Sequence, residues 1–570
     1  MPVINCNKWY STNKLDIAKY HENRLYDPKL QHNYNTINWT NNLNGKNLNY
    51  ISNASLPLDC EISTILDNTN TNNDNNTNNY CDDDCEGDGV KTYDKKIWFS
   101  LPTDADQKAY CKKYKRRYNK IFYAISKYKL HKTKYGEDEQ IDSKETIVNT
   151  IAMSKLDIKT QHKIAIMYLI MLKEGKLWLE FNNNIRANIF YRRKDQCAPL
   201  TAINSRCLAD CNNLSKIISR HIKYAIIEEI FVRGLVNTNI NRARRCFIKY
   251  YDDTNGDTYR RLCFERVSDI GCILHKTKHQ YILLDLSNAY NNVHFSFLYN
   301  IISEYLPNPK LDSAKHTLSN NTTQNNNNNQ NNKYYDIKTE DELKNICKAI
   351  VHLMREIRYY DESSNIEILR NKGVPQGSAI SIDLFIICMD YILKQCIKNL
   401  SIKLGLRYNV DYKLVVYVDD ILILLKNKTA YTYCNNIMAI IAHTFSTYNF
   451  KMNDKKTKCS PLLVDKYNCN SEPIQPHDKY LGIYIEPDLF KYMQLIEIEI
   501  AKRYIQIPYM QSFQKIDDAA KSKILKNRDE LCIRGKLQYV LSPFAHDKYE
   551  RAAIMVKMGY PHIAALFNQT

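Results

Sequence analysis

Two apolar runs of strand length meet at a pair of adjacent carboxylates, Asp419 and Asp420, within residues 413–425. The Val, Ile and Leu residues on both sides predict a buried β-hairpin with the acids at its turn. Because adjacent carboxylates repel each other, the arrangement favours a bound cation, and Mg²⁺ is the hard ion that takes carboxylate and phosphate oxygens. For this stretch taken alone, an ordinary hairpin with an Asp-Asp turn is the alternative.

The net charge and the cysteine usage narrow the class of protein. The 570 residues carry a formal net charge of +18, which predicts a polyanionic partner, either nucleic acid or an acidic membrane face. The start of the chain lacks a signal-peptide core, and the longest apolar run, 164–172, is far too short to span a bilayer. Eighteen cysteines without a disulfide framework suit a reducing compartment. We therefore expect an intracellular, non-secreted protein with no membrane partner.

The N-terminal part of the chain is polar and then basic. Residues 1–90 are Asn-rich, and 62–90 cannot bury enough apolar surface to stay ordered. Residues 108–134 contain eleven Lys or Arg, no acid, and tyrosines spaced four apart, which predicts a helical face of cations and stacking rings. A solvated helix whose tyrosines pack on the body is the alternative. Periodicity predicts mainly helix over 145–232.

Alternating residues flank a turn-forming cluster at 245–264 and predict a β-hairpin with a polar tip. Lys249, Arg260 and Arg261 lie on its strands. There they could clamp a triphosphate, or they could simply form a charged cross-strand face.

Further along, the apolar strand 280–284 ends at Asp285, and a helix is predicted from 291 onward. A carboxylate at the exit of a buried strand is where open sheets present their chemistry. The Asn/Gln tract at 320–332 is interpreted as a surface insertion, because the cost of loop closure grows slowly with length.

A tight loop, Gly-Val-Pro-Gln-Gly-Ser at 373–378, precedes a long apolar helix predicted from about 379 to 400. Ser378 or Ser381 is expected to cap this helix. The exposed backbone beside the Gln376 amide is suited to holding a base pair in place.

These segments resemble the reverse transcriptases in the identity, order and spacing of their motifs. The resemblance covers about 235 to 485, and 485–570 by position only. The matching motifs are Asp-x-Ser-x-Ala-Tyr at 285–290, Gly-Val-Pro-Gln-Gly-Ser at 373–378, Tyr-Val-Asp-Asp at 417–420, Asn-Asp-Lys-Lys-Thr at 453–457 and Tyr-Leu-Gly at 480–482. Upstream, Lys249 and Arg260-Arg261-Leu262 look like the fingers hairpin of that family.

The resemblance implies an α+β right-hand polymerase, whose palm holds an antiparallel sheet and the Asp-Asp hairpin. The implied domains are an Asn-rich, partly disordered region at 1–90, a basic and mainly helical extension that binds template RNA at 91–232, a fingers hairpin at 233–282, a palm at 283–484 with an Asn-rich insertion at 303–345, and a helical thumb at 485–570.

The implied activity is RNA-templated DNA synthesis, in which two Mg²⁺ ions, or Mn²⁺, assist nucleotidyl transfer from dNTPs to a DNA or RNA primer. Asp285 and Asp419 would hold both ions, with the Leu286 backbone as an extra ligand and Asp420 completing the acidic cluster. Lys456 would be the acid for the departing pyrophosphate.

The resemblance also implies a nucleotide pocket and a primer grip. Tyr290, five residues after Asp285, is predicted to be a steric gate against the ribose 2′-hydroxyl, the alternative being a core tyrosine. The other implied residues are Lys249, Arg260 and Arg261 on the triphosphate, Gln376, Gly377 and Val418 at the nucleotide, and Tyr480, Leu481 and Gly482 at the primer.

Within the family, the motifs look closest to non-LTR retroelement and group II intron enzymes. A telomerase catalytic subunit also carries an insertion between its first two palm motifs, although its primer grip usually reads Trp-Cys-Gly. A maturase that uses the palm as an RNA-binding scaffold, with a dedicated structured RNA, is another alternative. An RNA-dependent RNA polymerase is disfavoured, because Tyr290 and Val418 stand where those enzymes carry Asp and Gly.

Overall fold

The computed structural model describes about half of the chain in detail. The Asn-rich segments 62–90 and 320–332 and the predicted hairpin at 245–264 lie outside the described residues. The described residues are 14–27, 98–99, 103–115, 118–119, 121–122, 158–178, 186–194, 200–211, 213–232, 235–237, 240–241, 279–306, 339–361, 365–486, 488–506, 517–519, 522, 540–541, 544 and 548–557.

Helices and strands are mixed along the described part of the chain. A π-helical segment, Lys223–Ile227, joins α4 to α5, and a 3₁₀ turn covers Ala289–Asn292. The α-helices are α1 (Lys14–Leu25), α2 (Asp104–Lys113), α3 (Ile158–Glu174), α4 (Asn213–Ile222), α5 (Glu228–Val232), α6 (Phe295–Tyr305), α7 (Glu340–Glu356), α8 (Ser381–Leu404), α9 (Lys428–Thr432), α10 (Cys434–Thr447), α11 (Pro461–Tyr467), α12 (Leu489–Gln506) and α13 (Lys548–Lys557).

The strands form two larger sheets and three short pairs. One sheet has the order β13-β12-β5-β10-β9 and the other β4-β3-β7-β8, while β1 pairs with β2, β11 with β6 and β14 with β15. The strands are β1 (Trp98–Phe99), β2 (Leu177–Trp178), β3 (Arg186–Arg193), β4 (Ser205–Cys211), β5 (Gln280–Leu284), β6 (Leu286–Ser287), β7 (Arg358–Asp361), β8 (Ile366–Ile368), β9 (Tyr412–Tyr417), β10 (Asp420–Leu425), β11 (Lys451–Met452), β12 (Lys458–Cys459), β13 (Glu472–Pro473), β14 (Lys479–Tyr480) and β15 (Ile483–Tyr484).

The chain divides into two compact units, each assembled from separate segments. The first unit comprises Met1–Val236, Asn288–Tyr391 and Ser446–Phe450. The second unit comprises Asn237–Ser287, Ile392–Phe445 and Lys451–Thr570.

In the second unit, β10 lies inside the five-stranded sheet, between β5 and β9. Five consecutive residues of this strand, 421–425, are buried. A strand covered on both faces reads as a continuous apolar run rather than as an alternation, which is why 413–425 looked like two such runs. Val415, Leu422 and Leu424 pack with Tyr480 and Ile485 in one core cluster. The predicted buried hairpin at 413–425 is confirmed.

The first unit contains a sheet that the prediction of helix over 145–232 missed. Helices α3, α4 and α5 bear out that prediction, but β3 and β4 form an antiparallel pair between them. In β3, Ala187, Ile189 and Tyr191 are buried, whereas Asn188 and Arg192 are exposed. This alternation is the signature of a strand with one packed face. Cations at both ends of the segment obscured it.

In α2 and the residues after it, the tyrosine rings are buried or half-buried, whereas several lysine side chains are exposed. Tyr118 is buried, forms a hydrogen bond with His162 and stacks on it at 5.7 Å between ring centroids. The rings of Tyr110 and Tyr114 lie 4.9 Å apart and are half-buried. The prediction that stacking rings share the cationic surface is therefore wrong for Tyr118, which packs on the body as in the alternative. The exposed side chains at helical spacing are Lys108, Lys112 and Lys115.

The long apolar helix predicted after residue 378 is α8, which begins at Ser381. The expected serine cap is not formed. Within the part of the chain that the structure describes, the buried hydroxyls of Ser378 and Ser381 have no hydrogen-bond partner. Instead, the buried carboxylate of Asp383 in the first turn pairs with Lys223 at 2.9 Å.

Helix α1 is anchored in the first unit by several polar contacts. The side-chain oxygen of Asn371 accepts a hydrogen bond from the backbone N–H of Asp27, and its Nδ2 donates one to the Asp27 carbonyl at 2.6 Å. His21 lies 2.8 Å from the Ser205 hydroxyl, and burial, with the nearby charges of Arg24 and Lys194, lowers its pKa to about 4. At neutral pH the imidazole is therefore uncharged, which suits its buried position.

The C-terminal region of the second unit is helical where it is described, as predicted for 485–570. Helices α12 and α13 share a core made of Tyr492, Met493, Val540, Leu541 and Met555. In the described ranges, no helix combines the length and apolarity needed to cross a membrane.

Candidate active site

The acidic hairpin of the second unit closes on a two-residue turn. Tyr417 pairs with Asp420, so Val418 and Asp419 form the loop between β9 and β10. Val418 has φ +61°, a left-handed conformation that is unfavourable for a β-branched residue. Such strain costs about 1–3 kcal/mol and persists only where the surrounding structure enforces it. The turn that carries the acids is thus held in a conformation its sequence disfavours.

The register of the sheet places a second carboxylate opposite this turn. Ile421 of β10 pairs with Leu284 of β5, so Asp285, which follows β5, lies at the same end of the sheet as Asp420, the first residue of β10. Like charges placed close together in an antiparallel pair destabilise the sheet. Asp285 and Asp419 are partly exposed and Asp420 is exposed. The predicted acids Asp285, Asp419 and Asp420 therefore lie at the same end of the sheet.

Asp285 is held by the turn at 453–457. The Asn453 side-chain amide donates to Asp285 Oδ2 at 3.0 Å, and its backbone N–H donates to the Asp285 carbonyl at 2.8 Å. Lys456 Nζ lies 3.8 Å from the same Oδ2. The predicted residue Lys456 is therefore beside the acids. Leu286, which follows Asp285, is buried and pairs with Met452.

The Tyr-Leu-Gly motif forms the turn between β14 and β15. Leu481 and Gly482 both have positive φ, 51° and 78°, as the tight two-residue hairpin requires. Tyr480 is buried, and its hydroxyl lies 3.3 Å from the Val415 carbonyl and 3.4 Å from that of Asp420. Tyr480 thus packs beneath the acidic hairpin, and the half-exposed Leu481 and Gly482 form the accessible part of the motif.

In the first unit, the glycine loop is tied on both sides by backbone hydrogen bonds. Gly373 donates to the Val293 carbonyl at 2.7 Å, and Ala209 of β4 donates to the Gln376 carbonyl at 2.7 Å. Gly377 has φ +127°, and a Cβ there would lie 2.2 Å from the Ala209 oxygen. The loop therefore needs glycine at 377 for both conformation and space.

Tyr290, also in the first unit, is half-buried on the 3₁₀ turn after β6. Its ring stacks on Phe385 of α8, with centroids 4.6 Å apart and an interplanar angle of 13°. Phe385 is fully buried and meets Phe450 edge-on at 6.2 Å. The ring of Tyr290 is thus fixed from behind while part of it stays accessible.

The sequence-predicted residues fall into two described groups, one in each unit. Lys249, Arg260 and Arg261 lie outside the described residues. Sequence reasoning gave no role to Asn453 or Phe385, although Asn453 stood inside a recognised motif, and nothing local marked the contact of Ala209 with the glycine loop.

Arg370 was also missed. Its guanidinium donates to the carbonyls of Met354, Ile357 and Gly373, fixing the end of α7 against the start of the glycine loop. A lone arginine before a glycine carries no sequence signal for such a role.

The opposed carboxylates at the sheet end, next to a lysine and a strained turn, define a candidate phosphoryl-transfer site of the nucleotidyltransferase class. The match to a known protein family agrees with this class of site. Residues 259–485 match the family model described as "Reverse transcriptase (RNA-dependent DNA polymerase)". The chain therefore contains a reverse transcriptase domain, the catalytic domain of RNA-directed DNA polymerases, and its fold is polymerase-like. This confirms the family and the enzyme class predicted from the motifs.

Among solved structures, the chain is similar to telomerase from Candida albicans in complex with a TWJ fragment of telomeric RNA. The two share 14% sequence identity with a TM-score of 0.32, over 68% of this chain and 66% of that chain. The chain thus spans slightly less than two thirds of that structure. A comparison with curated proteins finds no match.

We predict that Gly377→Ala distorts the glycine loop, because the new methyl group would overlap the Ala209 oxygen. Gly405→Ala is the matched control: its φ is +67°, but no atom lies within 4 Å of the added Cβ. The control should lower the free energy of unfolding by about 1–2 kcal/mol, the cost of a left-handed alanine, and Gly377→Ala by clearly more. Equal losses in chemical denaturation would show that the close contact with Ala209 carries no cost.

Proposed function

We propose that this protein synthesises DNA on an RNA template by two-metal nucleotidyl transfer from dNTPs to a primer 3′-hydroxyl. The observation that carries the proposal is the register that brings Asp285, Asp419 and Asp420 to one end of the sheet, inside the segment matching the reverse transcriptases. Like charges held close together at the end of a sheet are stabilised when a bound cation offsets their repulsion.

The residues present fit Mg²⁺ in their donor chemistry, since all three side chains offer only carboxylate oxygens. Among the described residues, no group of three or more His, Cys, Asp or Glu side chains could hold a metal ion on its own. Mg²⁺ is usually bound through one or two carboxylates, with waters and substrate phosphates as the remaining ligands, and Mn²⁺ could take its place. When bound, such ions would activate the attacking hydroxyl and offset charge on the phosphates.

The chain's own residues have separate tasks in this proposal. Asp285 and Asp419 would hold the two ions, with the Leu286 backbone as a further ligand, and Asp420 would add to the negative potential. Lys456, within 4 Å of Asp285, gives a proton to the departing pyrophosphate. Lys456 is exposed enough to reach a substrate, its side chain being 67% accessible.

The nucleotide and its templating partner would be held by residues outside the acidic cluster. By resemblance, Gln376 and Gly377 would contact the nascent pair, Val418 would contact the nucleotide, and Tyr290 would restrict its sugar. The cations implied at the triphosphate are Lys249, Arg260 and Arg261, by resemblance alone.

We further propose a right-hand architecture with fingers, palm and thumb. The palm corresponds to the sheet around β10, and α12 and α13 belong to the thumb. Tyr480, Leu481 and Gly482 act as the primer grip, in which Leu481 and Gly482 face the primer and Tyr480 supports the hairpin from below. A dedicated structured RNA as template would use the basic surface of the N-terminal extension.

The first prediction for this function concerns Asp419. Asp419→Asn should abolish primer extension on poly(rA)/oligo(dT) while template binding persists, because it removes a ligand charge without disturbing the hairpin backbone. The control is Asp465→Asn, an exposed acid on α11. Primer extension by Asp419→Asn above about a tenth of the wild-type rate would contradict a role as metal ligand.

Tyr290→Ala should raise ribonucleotide incorporation by about one to two orders of magnitude while DNA synthesis persists, since each ~1.4 kcal/mol of relieved clash is tenfold. Tyr290→Phe keeps the ring and should keep discrimination. Single-nucleotide insertion of dTTP and UTP on one primer measures the ratio. If Tyr290 is only a core residue, Tyr290→Ala should instead cost about 3–5 kcal/mol of stability and leave that ratio unchanged.

The lysine face made of Lys108 and Lys112 of α2 and of Lys115 just after it should contact template phosphates. Replacing all three by Gln is expected to weaken RNA binding and to reduce the log–log salt slope by about two to three units, one per lost phosphate contact. The matched control replaces three other exposed lysines, Lys398, Lys403 and Lys428. A wild-type slope for the α2 variant, or the same loss in the control, would identify the face as merely solvated.

A further inference from the structure

We propose that Asn453 is the positioning residue of the catalytic centre, orienting the carboxylate of Asp285 and fixing the turn that carries Lys456. This inference rests on the proposed function, in which Asp285 is a metal ligand. Asn453 itself touches neither substrate nor metal in this scheme.

The side chain of Asn453 selects one oxygen of Asp285. Its Nδ2 donates to Oδ2 at 3.0 Å, and Lys456 Nζ approaches the same oxygen at 3.8 Å. The amide and the ammonium group both approach Oδ2, so among the described residues the other oxygen of Asp285 is left for a cation. Hydrogen-bonded partners of this kind fix the orientation of metal-binding carboxylates, and their loss typically costs 10–100-fold in metal affinity or activity.

The backbone of Asn453 is held independently of its side chain. Its N–H donates to the Asp285 carbonyl at 2.8 Å, immediately after the pairing of Met452 with Leu286. The short β6–β11 ladder therefore brings the 453 position to Asp285 whatever side chain stands there. A substitution at 453 can thus remove the amide while these backbone contacts remain.

The carbonyl of Asn453 organises the turn that follows. It accepts hydrogen bonds from the backbone N–H groups of Lys456 and Thr457, at 3.0 and 2.9 Å, and from the Thr457 hydroxyl at 3.1 Å. This closed turn directs Lys456 back toward Asp285. One residue therefore sets both the metal ligand and the proton donor.

An amide is the side chain best suited to this position. A lysine or arginine would hold Asp285 more strongly, but its charge would compete with a cation for the carboxylate. An aspartate would add a further negative charge within hydrogen-bond distance. The neutral amide orients the carboxylate and leaves its charge for the metal.

The test compares Asn453→Ala and the volume-conserving Asn453→Leu with wild type in the full-length chain. Mn²⁺ binding is followed by the loss of the free-ion EPR signal, with and without an RNA–DNA primer–template. The Mg²⁺ concentration for half-maximal primer extension is measured in parallel. We expect both variants to bind Mn²⁺ about 10–100-fold more weakly and to need correspondingly more Mg²⁺.

Asn427→Ala is the matched control, because Asn427 Nδ2 donates to Asp411 Oδ1 at 2.7 Å, the same kind of bond elsewhere in the second unit. It should lower thermal stability and leave Mn²⁺ binding unchanged. Thr457→Val loosens only the turn, so it should lower kcat with normal Mn²⁺ binding.

Wild-type Mn²⁺ binding and Mg²⁺ demand in a folded Asn453→Leu chain would overturn the inference. So would a Thr457→Val variant that loses as much Mn²⁺ affinity as Asn453→Ala. Asp285→Ala separates this failure from failure of the proposed function: if Asp285→Ala itself binds Mn²⁺ and extends primers normally, the ligand assignment is wrong, whatever Asn453 does.

Discussion

The structure of the candidate site depends on one electrostatic conflict, the placing of Asp285 and Asp420 at the same end of the β5–β10 pair. Ile282 of β5 and Ile423 of β10 are fully buried, so a one-residue slip in register would move these side chains out of their places in the core. The packing energy of the sheet thereby holds two negative charges together that would otherwise separate. The neighbouring features, the strained Val418 turn and the Asn453 clamp, add local constraints to the same end of the sheet.

The strained turn and the clamp restrict different parts of the site. Val418, with its left-handed backbone, determines the direction in which Asp419 leaves the hairpin. Asn453 acts on the partner strand through Asp285. Tyr480 lies under the hairpin, and its hydroxyl connects the Tyr-Leu-Gly turn to the backbone carbonyls of Val415 and Asp420. Each constraint is weak alone, but together they leave the acids little freedom, which is what a preorganised site requires.

Sequence reasoning predicted those elements that are specified locally. The hairpin at 413–425, the carboxylate after β5 and the glycine loop each have their own composition signal, and all are found. It missed β3, where terminal arginines obscured the alternation, and it misjudged Tyr118, whose burial depends on α3. The bond between Asn453 and Asp285 joins residues 168 positions apart, and no periodicity in either segment reports such a contact. Features that depend on the local sequence could therefore be predicted, whereas contacts between distant segments could be found only from the structure.

The interleaved course of the chain has a consequence for inheritance. Each compact unit is built from three separate stretches of sequence, and the boundary between the units falls inside α8 as well as just after β6. No single contiguous gene fragment encodes either unit. Neither can be acquired, exchanged or expressed as a cassette in the way that domains strung along a chain can. Recombination could add material at the ends or in surface insertions, but the catalytic body has to be passed on as one piece.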